Sequence, residues 1–243
     1  MDTAAAWEIA IAGFAGTALG RRVARRFRAG PLEAVRFAQG EISGKPFNEF
    51  FAHACDPAEA LAAIAAARPL ERHYLTVLAH RPGLREPYER GGYRLDDTET
   101  LMVCDLATLP ALVPVRDVAL VGMDEDAAWY NANDPEARTW ILPENLADPR
   151  MAHYAVVEGG QLLARGRTLR LDAHHSYVSR VYTAEARRGQ GLARALMARL
   201  LADDIAKGVR WSVLTASRTG APLYTRLGYH PLGTVLLFLP AQG

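Results

Sequence analysis

The strongest constraint on what this chain folds into is an internal repeat. Val77 and Val213 stand 136 positions apart, and the same offset relates Tyr88 to Tyr224, Gly92 to Gly228 and Tyr93 to Tyr229. The segment HYLTVLAHRPGLREPYERGGY lies over VRWSVLTASRTGAPLYTRLGY without a gap, and Leu101 and Met102 then fall over Leu237 and Phe238. A period this long repeats a whole supersecondary unit, so a fold is sought in which each half buries a similar surface. Each half reads as a helix, a strand, a short helix ending near a Gly–aromatic pair, and a second strand. The helices are predicted at 58–67 and 193–207, from strong helix formers with apolar residues at helical spacing. Short β-branched and aromatic runs predict strands at 74–79 and 211–215. The short helices fall at 84–90 and 220–227, with Pro222 in a first turn and Gly228 as a stop.

The segment 152–183 differs. AHYAVVE, the turn Glu158-Gly159-Gly160-Gln161 and LLARGRTLRL read as a hairpin. After Asp172-Ala173-His174-His175, SYVSRVYT supplies a third strand, so an antiparallel meander feeds the helix at 193–207. The joint between halves is predicted at 108–114, where LPALVP interrupts the pattern with two prolines.

With 243 residues, 50% of them hydrophobic and 23% charged, the chain is long enough for two small domains with real cores. A formal net charge of +1 gives no global field to draw it onto nucleic acid or an anionic membrane. Cys55 and Cys104 have no CxxC partner or His cluster at metal spacing, so they read as reduced, buried thiols suited to a cytoplasmic protein, and no metal is expected. The apolar stretch at 7–20 is too short to span a bilayer, and its arginines (Arg21, Arg22, Arg25, Arg26 and Arg28) follow it, the wrong order for a signal peptide. It reads as a buried helix followed by a basic helical turn.

The chemistry concentrates in SRVYTAEARRGQGLARALMARLL. A β-branched strand ends at Thr183, and Gly189-Gln190-Gly191 opens a helix near Leu192. The first amides of a helix lack intrahelical partners and carry the positive end of its dipole, so this junction suits an anion. Glycines let a phosphate approach the backbone, and Arg188 adds a cation with planar donors. Arg187 and Arg194 are equally readable as solvating charges. The loop lacks the Lys-Ser/Thr of a P-loop, and Arg194 stands where a dinucleotide fingerprint needs its last glycine.

VYTAEARRGQGLARALM resembles motif A of the GNAT superfamily of acetyl-CoA-dependent N-acetyltransferases, Arg/Gln-x-x-Gly-x-Gly/Ala, through Arg188, Gly191 and Ala193. SRTGAPLYTRLGYHPLG resembles a later motif of that superfamily through Leu223, Tyr224, Gly228 and Tyr229. The resemblance implies an α+β fold, with a mixed, mostly antiparallel sheet flanked by helices. It implies a catalytic domain at 109–243, preceded by a degenerate GNAT-like half at 1–108. It also implies acetyl-CoA as co-substrate, its pantetheine arm along Val181, Tyr182 and Thr183. The pyrophosphate would lie on the amides of Arg188, Gly189, Gln190, Gly191, Leu192, Ala193 and Arg194. A small-molecule amine would attack the thioester directly through a tetrahedral intermediate. Tyr224 would protonate the leaving thiolate, against the plainer reading of a packed aromatic. For the base, His174, His175, Glu185, Asp172 and Ser179 stay open. Trp129, Tyr130, Asn131 and Trp140 are readable as an amine pocket or as core.

At the 136 offset, Ala52, Cys55 and Pro57 stand over Arg188, Gly191 and Ala193, so the first half lacks both glycines and cation. Three uses stay open for it: completing the acceptor site, extending the sheet, or forming a homodimer surface. Two other functions stay open beside small-molecule acetylation: acetylation of protein or peptide amines, and non-catalytic acyl-CoA sensing.

Overall fold

The computed structural model describes residues 1–17, 24–38, 46–70, 72–134, 136 and 141–241. The first half runs α1 (Thr3–Thr17), β1 (Ala24–Ala29), β2 (Leu32–Phe37), β3 (Phe47–His53), α2 (Pro57–Ala66), β4 (His73–Ala79), α3 (Arg85–Arg90) and β5 (Tyr93–Asp105). The second runs β6 (Ala119–Val121), α4 (Asp124–Asn133), α5 (Pro143–Ala147), β7 (Met151–Glu158), β8 (Gln161–Arg170), β9 (His175–Thr183), α6 (Leu192–Ala206), β10 (Trp211–Ser217), α7 (Ala221–Arg226) and β11 (His230–Pro240).

The repeat is visible in space: α3 and α7 start 136 residues apart, and β5 and β11 follow them. All strands join one sheet in the order β1-β2-β3-β4-β11-β5-β10-β9-β8-β7-β6. The halves exchange their last strands. β5 leaves β4 to pair with β10, and β11 takes the place beside β4, both antiparallel. β5 and β11 also pair with each other, and Glu99 stands opposite Val235, its own counterpart in the repeat. A local pseudo-two-fold axis therefore passes between Glu99 and Val235. The sheet is mostly antiparallel, and among the described residues the parallel steps are β3–β4 and β9–β10.

Alternation along the strands separates the two faces. On β5, Met102 and Cys104 pack with α6 residues such as Leu196 and Leu200, while Leu101 and Val103 pack with Trp7, Ala10 and Ile11 of α1. α2 covers the first half on the α6 side, through Ala60 and Ile64 over Leu75 and Val77. Gly13 seats α1 on the sheet, since a Cβ there would lie 2.1 Å from the Tyr177 ring.

Three readings of the sequence are corrected. Arg25, Arg26 and Arg28 lie on strand β1 rather than on a helical turn, with Arg28 paired to Glu33 across the β1–β2 hairpin at 3.0 Å; Arg21 and Arg22 fall outside the described residues. The first half also carries a meander of its own, β1 to β3, which the pattern of helix, strand, short helix and strand omits. The 136 register fails before α2: three residues separate β3 from α2, whereas eight separate β9 from α6. Cys104 is buried and Cys55 half-buried, both free. Among the described residues, no helix is long and apolar enough to cross a membrane.

Candidate functional site

β9 pairs with β8 from Ser176 to Thr183, but with β10 only at His175, Ser176 and Tyr177. Beyond Tyr177 the two parallel strands part, leaving one edge of Val181, Tyr182 and Thr183 without a strand partner. The equivalent strands of the first half, β3 and β4, stay paired over six positions, from Asn48 to His53. A bulge shapes the open edge. The β8–β9 register shifts between Arg165 and Arg167, and Arg180 adopts φ +59°, a costly left-handed conformation for a side-chain-bearing residue. Arg165 supports it by donating to the Arg180 carbonyl at 3.0 Å. Arg165 is itself buried, 2.8 Å from Asp134 in an ion pair not aligned as a hydrogen bond, and it also meets Glu136.

The loop that follows presents bare amides. Gly189 and Gly191 have φ of +77° and +79°, and Gly191 is the N-cap of α6 with no side chain capping it. Among the described residues, no acceptor pairs with the backbone N–H groups of Gly189, Gln190, Gly191, Leu192, Ala193 or Arg194. The loop is braced from outside. Glu158, at the β7–β8 turn, accepts from Arg116 at 2.6 Å and from Arg187 at 2.7 Å, and Arg187 also holds the Gln190 side chain at 3.2 Å. Arg187 is thus a strut of the loop. Arg188 turns back to the Thr183 carbonyl and Glu185, and Arg194 is exposed on α6. In the first half the same junction is closed by Asp56, whose carboxylate accepts from the amides of Ala58 and Glu59. One helix start is thus occupied by the chain's own anion; the other is free for a foreign one.

On the α1 face, at the parting of β9 and β10, lies a cavity of 440 Å³ lined by both halves. Its polar lining includes Glu49, Thr76, Glu99, Ser179 and Thr215. Burial pushes the Glu49 carboxyl up to about 7, opposed by the Thr76 hydroxyl at 2.6 Å and reinforced by the Glu99 charge. Burial likewise raises Glu99, opposed by Thr215 and reinforced by Asp97. Tyr224 is buried on α7, its ring edge-on to Tyr229 at 5.8 Å; burial, then Glu99, raise its pKa and keep the phenol protonated.

Of the five sequence candidates for a base, only Ser179 lines this cavity, and it accepts from Arg167 at 2.9 Å. Asp172 accepts from the His174 and His175 amides and meets the His175 ring at 2.9 Å, at the end of β9 remote from Thr183. Glu185 lies exposed in the turn before the glycines. Trp129 and Tyr130 do not line the cavity; they flank a smaller hollow over β6 and β7, where Tyr130 is core, and Asn131 ties down Ile141. Trp140 lies outside the described residues. Glu49 and Glu99 are not among the sequence candidates, all five of which lie in the second half.

Glu49 predicts a pH signature. An unfolded glutamate titrates near 4.5 and this one near 7, so its contribution is full below pH 4.5 and is lost as pH rises through 7. At ~1.4 kcal/mol per unit the loss is roughly 3 kcal/mol. His153, lowered by burial to about 3, acts in the opposite direction. The readout is therefore the difference: urea midpoints between pH 4.5 and 8 fall more in wild type than in Glu49→Gln.

A family model for the GNAT acetyltransferase domain matches residues 149–231. No curated protein matches the chain. The fold is similar to that of a GCN5-related N-acetyltransferase from Kribbella flavida, at 20% identity and TM-score 0.67, covering 96% of each chain. It is also similar to a GCN5-related N-acetyltransferase from Sphaerobacter thermophilus, at 17% identity and TM-score 0.58, over 86% of this chain and 76% of that one. A tandem GNAT protein from the clavulanic acid biosynthesis pathway aligns with 86% of this chain and 77% of its own, at 14% identity and TM-score 0.53. At these identities the likeness is one of fold. Residues 149–231, spanning the β7–β8 hairpin, the glycine loop and α6, match the model of a GNAT acetyltransferase domain, and the chain as a whole is similar in fold to GCN5-related N-acetyltransferases.

Proposed function

We propose that this chain transfers the acetyl group of acetyl-CoA to the amine of a small molecule. The observation that carries the reading is the run of unpaired amides from Gly189 to Arg194, beside a strand whose edge is bare beyond Tyr177. Such a helix start holds a pyrophosphate through oriented N–H groups and its dipole. Arg188, exposed and adjacent in sequence to Gly189, supplies a guanidinium once it leaves Glu185. Val181, Tyr182 and Thr183 offer backbone groups to the amide-bearing pantetheine arm, as a neighbouring strand would. Acetyl-CoA, bound there, supplies a thioester carbonyl for attack. Tyr224, kept protonated by burial, is the proton donor to the departing sulfur. The closed first-half junction supports a single cofactor site, since Asp56 fills the amides of α2. The cavity supports a small acceptor over a protein, because 440 Å³ under α1 suits a compact molecule.

The test is release of free CoA thiol that depends on added amine. Tyr224→Phe is expected to lower kcat about a hundredfold while acetyl-CoA affinity stays within twofold, as loss of a general acid requires. Acetyl-CoA binding without turnover on any amine would leave a sensor instead.

A further inference from the structure

The acetyl-transfer reading leaves the acceptor open, and the cavity between the halves narrows it. Its walls are aromatic. Phe37 stacks on Phe47 at 4.4 Å, and Phe14 stands edge-on to Phe37 and Phe51 at 5.4 and 5.7 Å. Trp7 and Tyr74 add to these walls, and Ile11, Val178, Val235 and Leu237 supply aliphatic surface. Into this apolar box project the carboxylates of Glu49 from β3 and Glu99 from β5. A buried carboxylate is ordinarily paired with a cation. Here each is met by a hydroxyl, Thr76 and Thr215, and the charges acting on them are other carboxylates: Glu99 on Glu49, and Asp97 on Glu99. Two of the guanidiniums at the cavity have partners of their own. Arg72 donates to the Tyr74 hydroxyl at 2.6 Å and lies over its ring, and Arg167 donates to Ser179. Arg180 stands at the bulge of β9. Tyr177 lies between the two signs of charge, bonded to Thr215 and acted on by Glu99, Arg167 and Glu49.

We propose that the acceptor is a primary amine on a flat apolar body, entering as an ammonium ion that Glu49 and Glu99 hold together, with Glu99 as the base that frees its lone pair. This rests on the acetyl-transfer reading for the second role only. Glu99 lies on the strand beside β10 and acts on Tyr224, so it is the carboxylate nearer the chemistry. In that step an ammonium N–H bond breaks, an O–H bond forms on the Glu99 carboxylate, and the electron pair stays on nitrogen, ready to attack. Glu49, bonded to Thr76 on the first half's side, keeps the charge in place. Sharing one cation also explains why two carboxylates are kept together in an apolar cavity. The first half thus supplies the acceptor's anchor, and the exchanged strand β5 supplies the base.

The test is calorimetric titration of the full chain at pH 7, without acetyl-CoA, using 2-phenylethylamine, its uncharged isostere 2-phenylethanol, and the zwitterion phenylalanine. The amine is expected to bind best and to lose at least tenfold in Glu49→Gln and in Glu99→Gln, while the alcohol changes less than twofold. Retained alcohol binding reads an intact cavity in each variant. Amine affinity unmoved by both substitutions would overturn the inference, as would a parallel loss for the alcohol or tighter binding of phenylalanine. A separate acetyl-CoA titration keeps the two readings apart. No acetyl-CoA binding would sink acetyl transfer and leave the ammonium site standing; indifferent amine titrations would sink the ammonium site alone.

Discussion

Gly191→Trp is expected to lower acetyl-CoA affinity at least a hundredfold while the protein stays folded. Gly191 sits at φ +79°, and nothing lies within 4 Å of a Cβ built on it. The substitution therefore meets two separate costs. An L residue in the left-handed region costs about 1–2 kcal/mol of stability. The indole, projecting from the N-cap, covers amides that have no other acceptor. Losing those charge-assisted hydrogen bonds, each worth about 1.5–3 kcal/mol, suffices for two decades of affinity, at ~1.4 kcal/mol per decade. Gly191→Ala separates the costs: the backbone strain is the same but the open space stays open, so affinity should fall less than tenfold. Thermal unfolding and calorimetric titration of acetyl-CoA on both variants check this. Equal affinity in Gly191→Trp and wild type would remove the amide cradle from the mechanism.

The elements legible in the sequence were those whose cause is local. A glycine pair before a run of helix formers marks a helix start whatever surrounds it, and α6 begins at Leu192, where the glycine loop places it. The turn at Gly159 and Gly160, both at positive φ, is local in the same way. The repeat found α3, α7, β5 and β11, because hydrophobic register survives where packing is shared. It could not show that β5 and β11 change places, since exchange leaves each strand's alternation unaltered. Nor could a gapless offset see the shorter junction before α2. Glu49 and Glu99 carry a signal that is legible in strand alternation. Glu49 shares a strand face with Phe47 and Phe51, and Glu99 shares one with Leu101 and Val103, so alternation puts both carboxylates on faces otherwise apolar. A charge on a buried face asks for a partner, and in this chain the partner is a matter of function rather than of folding.

Arg165→Met is expected to destabilise the protein by roughly 3–5 kcal/mol, the usual cost of breaking a buried ion pair from one side. Arg165 is 1% exposed, and its partner Asp134 is buried, so removing the cation strands a carboxylate away from water. In a chain of this length, about 2–4 °C per kcal/mol makes that a fall in Tm on the order of 10 °C. The side chain has a second task, which a stability measurement alone would hide. Its guanidinium donates to the Arg180 carbonyl and lies over the Tyr182 ring at 4.9 Å, so it holds the bulge that frees the edge of β9. Pairing Arg165→Met with Asp134→Leu removes the stranded charge, and most of the lost stability should return, since apolar replacements of buried pairs are near neutral. Acetyl-CoA affinity should not return with it, because the Arg180 carbonyl still lacks its donor and the strained residue is free to relax. Urea unfolding and acetyl-CoA titration on the single and double variants separate the two tasks. If stability and affinity recover together, Arg165 serves the core alone and the bulge holds its shape without it.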